Sequence, residues 1–261
     1  MEAQSARPIL VGAPFDEHSS YARGAALAPV AIRAALRSDS TNLWTESGVD
    51  LGPLLNDAGD APDQDSLTET VARVLADGAR PIVLGGDHSI TYQVIRAMRP
   101  RFPSLTIVQV DAHPDLYDEF DGDRFSHACQ FARIMESRLA DRLVQIGIRT
   151  MNAEQARQRD RFGVEVIDMR AFTSGTRPEV SGPIYVSFDL DGIDPAFAPG
   201  VAHHEPGGMT SRDAISLIQS LGGDIVGADV VELNPPRDAG GVTAPLAAKL
   251  VKELADRLRR P

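Results

Sequence analysis

The sequence predicts an α/β fold, a single domain of three layers in which helices cover both faces of a mostly parallel sheet. Three observations carry this expectation. Short apolar runs alternate with stretches of helical spacing along the whole chain, the pattern of strands joined by crossover helices. Several runs are continuously apolar rather than alternating, as strands buried on both faces must be. The polar clusters stand immediately after such runs, where open α/β sheets collect their ligand chemistry.

In chain order, residues 9–11 give a first strand and residues 30–36 a helix, with Ile32 and Leu36 one turn apart. Residues 38–65 hold Gly, Pro, Asn and Asp with weak periodicity and read as a long surface excursion, not a linker. Leu67, Val71, Val74 and Leu75 mark a helix at 67–75. Residues 81–84 form a buried strand and 90–98 a helix. The run 105–110 is a strand, 127–139 a helix and 143–148 a strand. A helix at 153–161 leads to a short strand at 164–167, and 184–188 is a further strand without a clear helix before it. Residues 214–221 are helical, 225–233 extended, and 245–259 form a closing amphipathic helix. No internal repeat or low-complexity tract interrupts the series.

The 261 residues carry 26 Lys plus Arg against 37 Asp plus Glu, a formal charge of −11. That balance argues against a duplex nucleic-acid binder, whose affinity rests on basic side chains, and against anionic membrane surfaces. The start, Met1-Glu-Ala-Gln-Ser-Ala-Arg7, places no apolar run behind a basic segment, so neither a leader nor a membrane helix is expected and the cytoplasm is the expected compartment. The single cysteine, Cys129, excludes an internal disulfide framework. Beside Phe131 and Ile134 it reads as a buried side chain. Any metal site must therefore use imidazole and carboxylate.

Polar clusters end three of the expected strands. Gly85-Gly86-Asp87-His88-Ser89 lacks the Lys of a phosphate loop; its His88 either caps the following helix or points to a site at the sheet rim. Asp111-Ala112-His113-Pro114-Asp115 places Asp111, His113 and Asp115 on one face if the backbone stays extended. Ser187-Phe188-Asp189-Leu190-Asp191 repeats that spacing, and Asp194-Pro195 after it reads as a turn. Together His88, Asp111, His113, Asp115, Asp189 and Asp191 are too many ligands for one catalytic ion and suit two ions sharing carboxylates. Oxygen-rich ligation favours Mn²⁺, with Fe, Co and Ni open. Two such ions roughly 3.5 Å apart would lower the pKa of a bridging water and deliver hydroxide to an electrophilic carbon.

These residues resemble the ureohydrolases, the family of arginase, agmatinase, guanidinobutyrase and formimidoylglutamase. The resemblance rests on the three clusters, on Gly12-Ala-Pro-Phe-Asp16 with Ala28-Pro-Val-Ala-Ile-Arg33, and on Val231-Glu-Leu-Asn-Pro235, and so covers nearly the whole chain. It implies two Mn²⁺ ions, one held by His88, Asp111, Asp115 and Asp189 and the other by Asp111, His113, Asp189 and Asp191. It implies that Asp115 also holds the hydroxide by a hydrogen bond, that His127 shuttles a proton to the leaving amine, and that Glu232 pairs with a guanidinium. A homotrimer or homohexamer is implied on the same ground.

Departures from the family bear on the substrate. Pro199-Gly-Val-Ala-His-His-Glu-Pro-Gly-Gly208 puts His203 and His204 where small residues and proline are usual, either to contact substrate or to fill the loop. After Arg149 the chain reads Thr150-Met-Asn152 in place of the Asp with which arginases meet the α-amino group. The segment from Asp115 to His127 is similar to that of agmatinases. The expectation is therefore hydrolysis of a small cationic guanidino substrate to urea and an amine, with agmatine first. Asn152, His203, His204 and Asp118 are the expected substrate contacts, and Glu119 and Glu205 further acidic candidates. Arginine, a guanidino acid or a formimino substrate are the alternatives, as is a non-catalytic regulatory protein. The deacetylase branch of the fold is disfavoured by the full ligand set for two ions.

Overall fold

The structure, a computed structural model, describes residues 6–260; residues 1–5, on which the argument about a leader rests in part, lie outside the described residues. A single eight-stranded sheet runs through the molecule in the order β2-β1-β3-β8-β7-β4-β5-β6. The strands are β1 (Pro8–Ala13), β2 (Asn56–Asp60), β3 (Arg80–Gly85), β4 (Thr106–Val110), β5 (Arg142–Ile146), β6 (Glu165–Ile167), β7 (Pro183–Asp189) and β8 (Asp224–Val231). Every neighbouring pair is parallel. The helices are α1 (Ala28–Leu36), α2 (Gln64–Ala76), α3 (Ile90–Met98), α4 (Gln130–Glu136), α5 (Ala153–Phe162), α6 (Met169–Thr173), α7 (Ser211–Ser220) and α8 (Thr243–Arg259).

Two apolar layers sandwich the sheet. On one face Ile32, Leu36, Leu217, Ile218, Leu250 and Leu254 of α1, α7 and α8 pack on Val108, Val186 and Val230. On the other, Leu67, Val71, Val94, Ile95, Phe131 and Ile134 of α2, α3 and α4 pack on Val83, Ile107 and Tyr185. The central strands are hence apolar on both sides, and burying a side chain of this size contributes about 1.5–3 kcal/mol.

Register aligns the strand ends that matter. Leu84 pairs with Val230, Asp189 with Val231, and Val110 with Phe188. Between β3 and β4 the chain passes over β8 and β7, so the ends of these four central strands form one rim at the switch in strand order.

Some elements differ from expectation. β2 lies inside the excursion read as loop, and all its residues are exposed. Its sequence, Asn-Asp-Ala-Gly-Asp, has no apolar signal; pairing with β1 and the guanidinium of Arg33 hold it. Arg33 donates from Nε and Nη2 to Asp57 (2.8 and 2.9 Å) and also binds Asp60. The helix expected from residue 127 starts only at Gln130, leaving His127 in a loop. α6 was not anticipated; Asp168 caps it by accepting from Ala171 N at 2.8 Å. β8 stops at Val231, one residue short of Glu232. No helix among the described residues is long and apolar enough to cross a membrane.

Candidate metal centre and active site

The turn after β3 depends on Gly86. A Cβ there would stand 1.7 Å from the carbonyl oxygen of Phe15, so only glycine lets the turn lie against the loop after β1. Asp87 stabilises it, accepting from His18 N at 3.1 Å and Ser89 N at 3.0 Å. His88 does not cap α3. It is buried, with Nε2 2.8 Å from Ser187 Oγ. Its Nδ1 lies 3.2, 3.1 and 3.2 Å from carboxylate oxygens of Asp111, Asp115 and Asp189, yet has no hydrogen-bond partner. An orphaned imidazole nitrogen facing three carboxylates is an arrangement that could hold a metal ion.

The second cluster converges for a reason other than strand alternation. β4 ends at Val110, and Asp115 has φ 51°, so Asp111 to Asp115 form a tight turn. Asp111 accepts from His113 N (2.6 Å) and from Gln109 Nε2 (2.7 Å). Asp115 accepts from Gln130 Nε2 at 2.8 Å. After β7 a short 3-10 turn, Leu190–Gly192, lets Asp189 accept from Asp191 N at 2.8 Å and Asp191 from Ala112 N at 3.1 Å. His113 Nδ1 sits 2.9 Å from Asp191. Ligand atoms of His88, Asp111 and Asp115 thus lie within 4.8 Å of one another, as do those of Asp111, His113 and Asp191, with Asp111 common to both.

The electrostatics favour added positive charge at the cluster. Burial, then repulsion from Asp191 and Asp111, pushes the Asp189 carboxyl well above its ordinary range. Burial and Asp111 push Asp115 up to about 6. Burial opposes a charged His113, but the Asp191 and Asp111 carboxylates overcome it and raise its pKa to about 12. Burial likewise opposes a charged His88, and Asp111, Asp115 and Asp189 overcome it. Protons therefore crowd where positive charge is demanded, and divalent ions would relieve the same imbalance.

Beside this centre stand His127 and Glu232. Glu232 has φ 65°, and its Oε1 accepts from His88 N (2.9 Å) and lies 2.8 Å from His127 Nδ1. His127 Nε2 accepts from Ser20 N at 3.2 Å and contacts Ser20 Oγ at 2.8 Å. Burial lowers the His127 pKa, but the Glu232 carboxylate outweighs it and lifts the value to about 9.

A cavity of about 170 Å³ opens over the centre, lined by Ser20, His113, Asp115, Tyr117, Phe120, His127, Thr150, Asn152, Gln155, Asp189, Asp191, His203 and Glu232 among others. Asn152 caps α5, accepting from Gln155 N at 2.9 Å, and donates to Tyr117 OH at 2.7 Å. The His203 ring lies 5.8 Å from that of His113, 5.4 Å from His127 and 5.6 Å from Tyr21.

The structure does not bring every expected contact to the cavity. His204 is exposed, its Nε2 2.8 Å from the Pro199 carbonyl, and so supports its own loop. Asp118 is turned away to Arg133 (2.7 Å) and Arg124 (3.1 Å), and neither it nor Glu119 or Glu205 lines the cavity. Asp194 shapes a turn, accepting from Ala196 N and Gly207 N at 2.9 and 2.6 Å. Cys129 is buried.

Sequence reasoning missed Ser20, Tyr117 and Gln155, which lie in segments without ligand spacing. Gln109 was findable, since it precedes Asp111 by two residues on a buried strand. Arg149 was also missed: it donates to the carbonyls of Asp191 (2.6 Å) and Glu205 (2.6 Å), joining the ligand turn to the loop of His203.

Known proteins share this fold and much of this sequence. The model of the arginase family matches residues 6–256. The chain is 46% identical over 277 residues to arginase 1, mitochondrial, of Arabidopsis thaliana, covering 96% of this chain and 81% of that protein. The solved arginase of Medicago truncatula superposes with a TM-score of 0.92 at 43% identity, covering 98% of this chain and 88% of that one. An agmatine ureohydrolase of Thermoplasma volcanium superposes with a TM-score of 0.84 at 33% identity, covering 98% and 90%.

Proposed function

The chain belongs to the arginase family of hydrolases acting on guanidino C–N bonds, and on that premise we propose that it hydrolyses arginine to urea and ornithine with two Mn²⁺ ions. The observation that carries the proposal is the cavity in which Glu232 and His127 stand against the His88, Asp111, His113, Asp115, Asp189 and Asp191 cluster.

Agmatine, the substrate expected first from the sequence, gives way. The relatives at 46% and 43% identity are arginases. Apart from Glu232 and the Asp cluster, no carboxylate among the described residues lines the cavity, and Asp118, the acidic group named for the amine tail, is held by arginines. Tyr117, Thr150, Asn152 and Gln155 line the cavity instead. Such neutral groups both donate and accept, and so suit a tail bearing an amine and a carboxylate together.

When bound, the two ions supply Lewis acidity and hydroxide at neutral pH. His88, Asp111, Asp115 and Asp189 would hold one ion, and Asp111, His113, Asp189 and Asp191 the other. Glu232 orients the guanidinium: both of its hydrogen bonds fall on Oε1, which leaves Oε2 to pair with the planar cation. His127, whose pKa the Glu232 carboxylate lifts to about 9, takes up a proton at Nε2 once the hydrogen bond from Ser20 N to that atom is given up, and supplies it to the departing amine. His203 covers the pair from the cavity wall. The proposal takes the enzyme to be a homotrimer or homohexamer, which sedimentation of the Mn²⁺-loaded protein tests.

The decisive assay is urea release with Mn²⁺ across arginine, agmatine, guanidinobutyrate and guanidinopropionate. Arginine is expected to exceed the others in kcat/KM by about 100-fold or more. A preference for agmatine overturns the substrate assignment, and ammonia without urea overturns the reaction.

A further inference from the structure

On the side of His88 away from the cavity, one carboxylate gathers three hydroxyl donors. Asp229 of β8 is fully buried and accepts from Tyr185 OH and Thr91 Oγ1 on Oδ2, and from Ser187 Oγ on Oδ1, each at 2.8 Å. Ser187 and Asp229 are register partners across β7 and β8, and Thr91 reaches in from α3. None of the three donors is a cation.

Ser187 Oγ also lies 2.8 Å from His88 Nε2. A hydroxyl has one proton, and an ionised carboxylate can only accept. With that proton given to Asp229, Ser187 can only accept from His88 Nε2–H. In the neutral imidazole the single proton is thereby fixed on Nε2, and the Nδ1 lone pair is left for an ion among Asp111, Asp115 and Asp189, where Nδ1 has no hydrogen bond.

We propose that Asp229 is a positioning residue of the metal centre, acting through Ser187 to set which nitrogen of His88 carries the proton, so that Nδ1 is presented to the ion. This rests on the assignment of His88 as a metal ligand. A purely structural role, pinning β7, β8 and α3 together, would involve the same three donors equally, whereas the polarity argument singles out Ser187.

Asp229→Asn tests the difference. Thr91 and Tyr185 both aim their protons at Oδ2, so the amide oxygen takes that side and its NH₂ faces Ser187. The Ser187 proton must then turn toward His88 Nε2, and the imidazole proton moves to Nδ1, against the ion. The measurement is the Mn²⁺ dissociation constant of each ion, from the free Mn²⁺ signal in electron paramagnetic resonance, with unfolding temperature measured in parallel. Asp229→Asn and Ser187→Ala are expected to weaken one of the two ions about 10- to 100-fold. Tyr185→Phe and Thr91→Val are expected to lower the unfolding temperature and leave both constants within about 3-fold of the wild type, the range of ordinary context effects rather than of a lost metal partner.

Wild-type constants for both ions in Asp229→Asn and Ser187→Ala overturn the inference, as does a loss of affinity in Tyr185→Phe equal to theirs. If Asp229→Asn does not fold, Ser187→Ala against Tyr185→Phe decides alone. A wild-type protein that binds no Mn²⁺ ends the assignment of His88 and the inference with it, whereas tight wild-type binding with an indifferent Asp229→Asn ends the inference only.

Discussion

Glu232 and Asp115 hold positive φ without being glycine, at 65° and 51°. Such backbone costs about 1–3 kcal/mol and persists where surrounding contacts overdetermine it. For Glu232 those contacts are the bond from its own N to Gly86 O (3.0 Å) and the side-chain bond from His88 N. The strain thus aims a carboxylate that an ordinary strand end would direct elsewhere. Glu232→Gln keeps the shape and removes the charge. Losing a hydrogen bond to a charged group costs about 1.5–3 kcal/mol, so kcat/KM for arginine should fall by about 10- to 100-fold, with two Mn²⁺ per chain still found by elemental analysis. His127→Ala should lower kcat by about 10²–10⁴-fold at unchanged metal content, with partial recovery on adding imidazole. His203→Ala should change the arginine-to-agmatine ratio of kcat/KM; an unchanged ratio would remove His203 from the substrate site. At this scale the convergence of the His and Asp side chains was legible because they stand at fixed spacings after apolar runs. The Ser187 and Asp229 relay was not, since neither follows a strand end, although a carboxylate amid Ile225-Val-Gly-Ala-Asp-Val-Val231 signals a buried charge that must be satisfied.

The excursion at 38–65 shows how an element can depend on partners far away in sequence. Glu46 within it accepts two hydrogen bonds from Arg212 of α7 at 2.8 Å each and one from Gln219 at 3.0 Å, and Ser47 donates to Asp256 of α8 at 2.8 Å. The hydrogen bond from Arg212 leads in lowering the Glu46 pKa to about 2. A carboxyl depressed in the folded state adds stability that is present above its unfolded value, about 4.3, and is lost as pH falls toward 2. The urea midpoint of the wild type should therefore drop between pH 5 and pH 2 by more than that of Arg212→Ala, and the two should converge at the acid end. Solvent exposure of both partners keeps the effect small. No such ion pair is visible in a linear reading, which is why β2 and the excursion's anchorage escaped it. Helices with apolar spacing, such as α2, α3 and α8, were legible, whereas α6 is too short for periodicity to register.

For the whole molecule, continuous apolar runs were enough to foretell a parallel sheet covered on both faces. The strand order was not legible, because local sequence does not encode that the chain leaves β3, passes over two places later filled by β8 and β7, and resumes at β4. That crossing draws His88, Asp111, Asp189 and Glu232 from widely separated segments to one rim. The ions should accordingly act as a brace across the centre of the sheet. Binding at 100 times the dissociation constant adds about 2.7 kcal/mol per site. With about 2–4 °C per kcal/mol for a chain of this size, chelation by EDTA should lower the unfolding temperature by at least about 5 °C, and Mn²⁺ should restore it. Equal unfolding temperatures with and without chelator would mean that the cluster holds no ion.

Arg149 has one further consequence. Its guanidinium clasps the carbonyls of Asp191 and Glu205, so the turn of Asp191, a proposed ion ligand, and the loop that presents His203 share one hinge pin. Under the proposed function, selectivity and catalytic power are therefore coupled through Arg149. A redesign that reshapes the 199–208 loop for a longer or shorter substrate tail will tug on the Asp191 turn, and successful variants should carry compensating changes around Arg149.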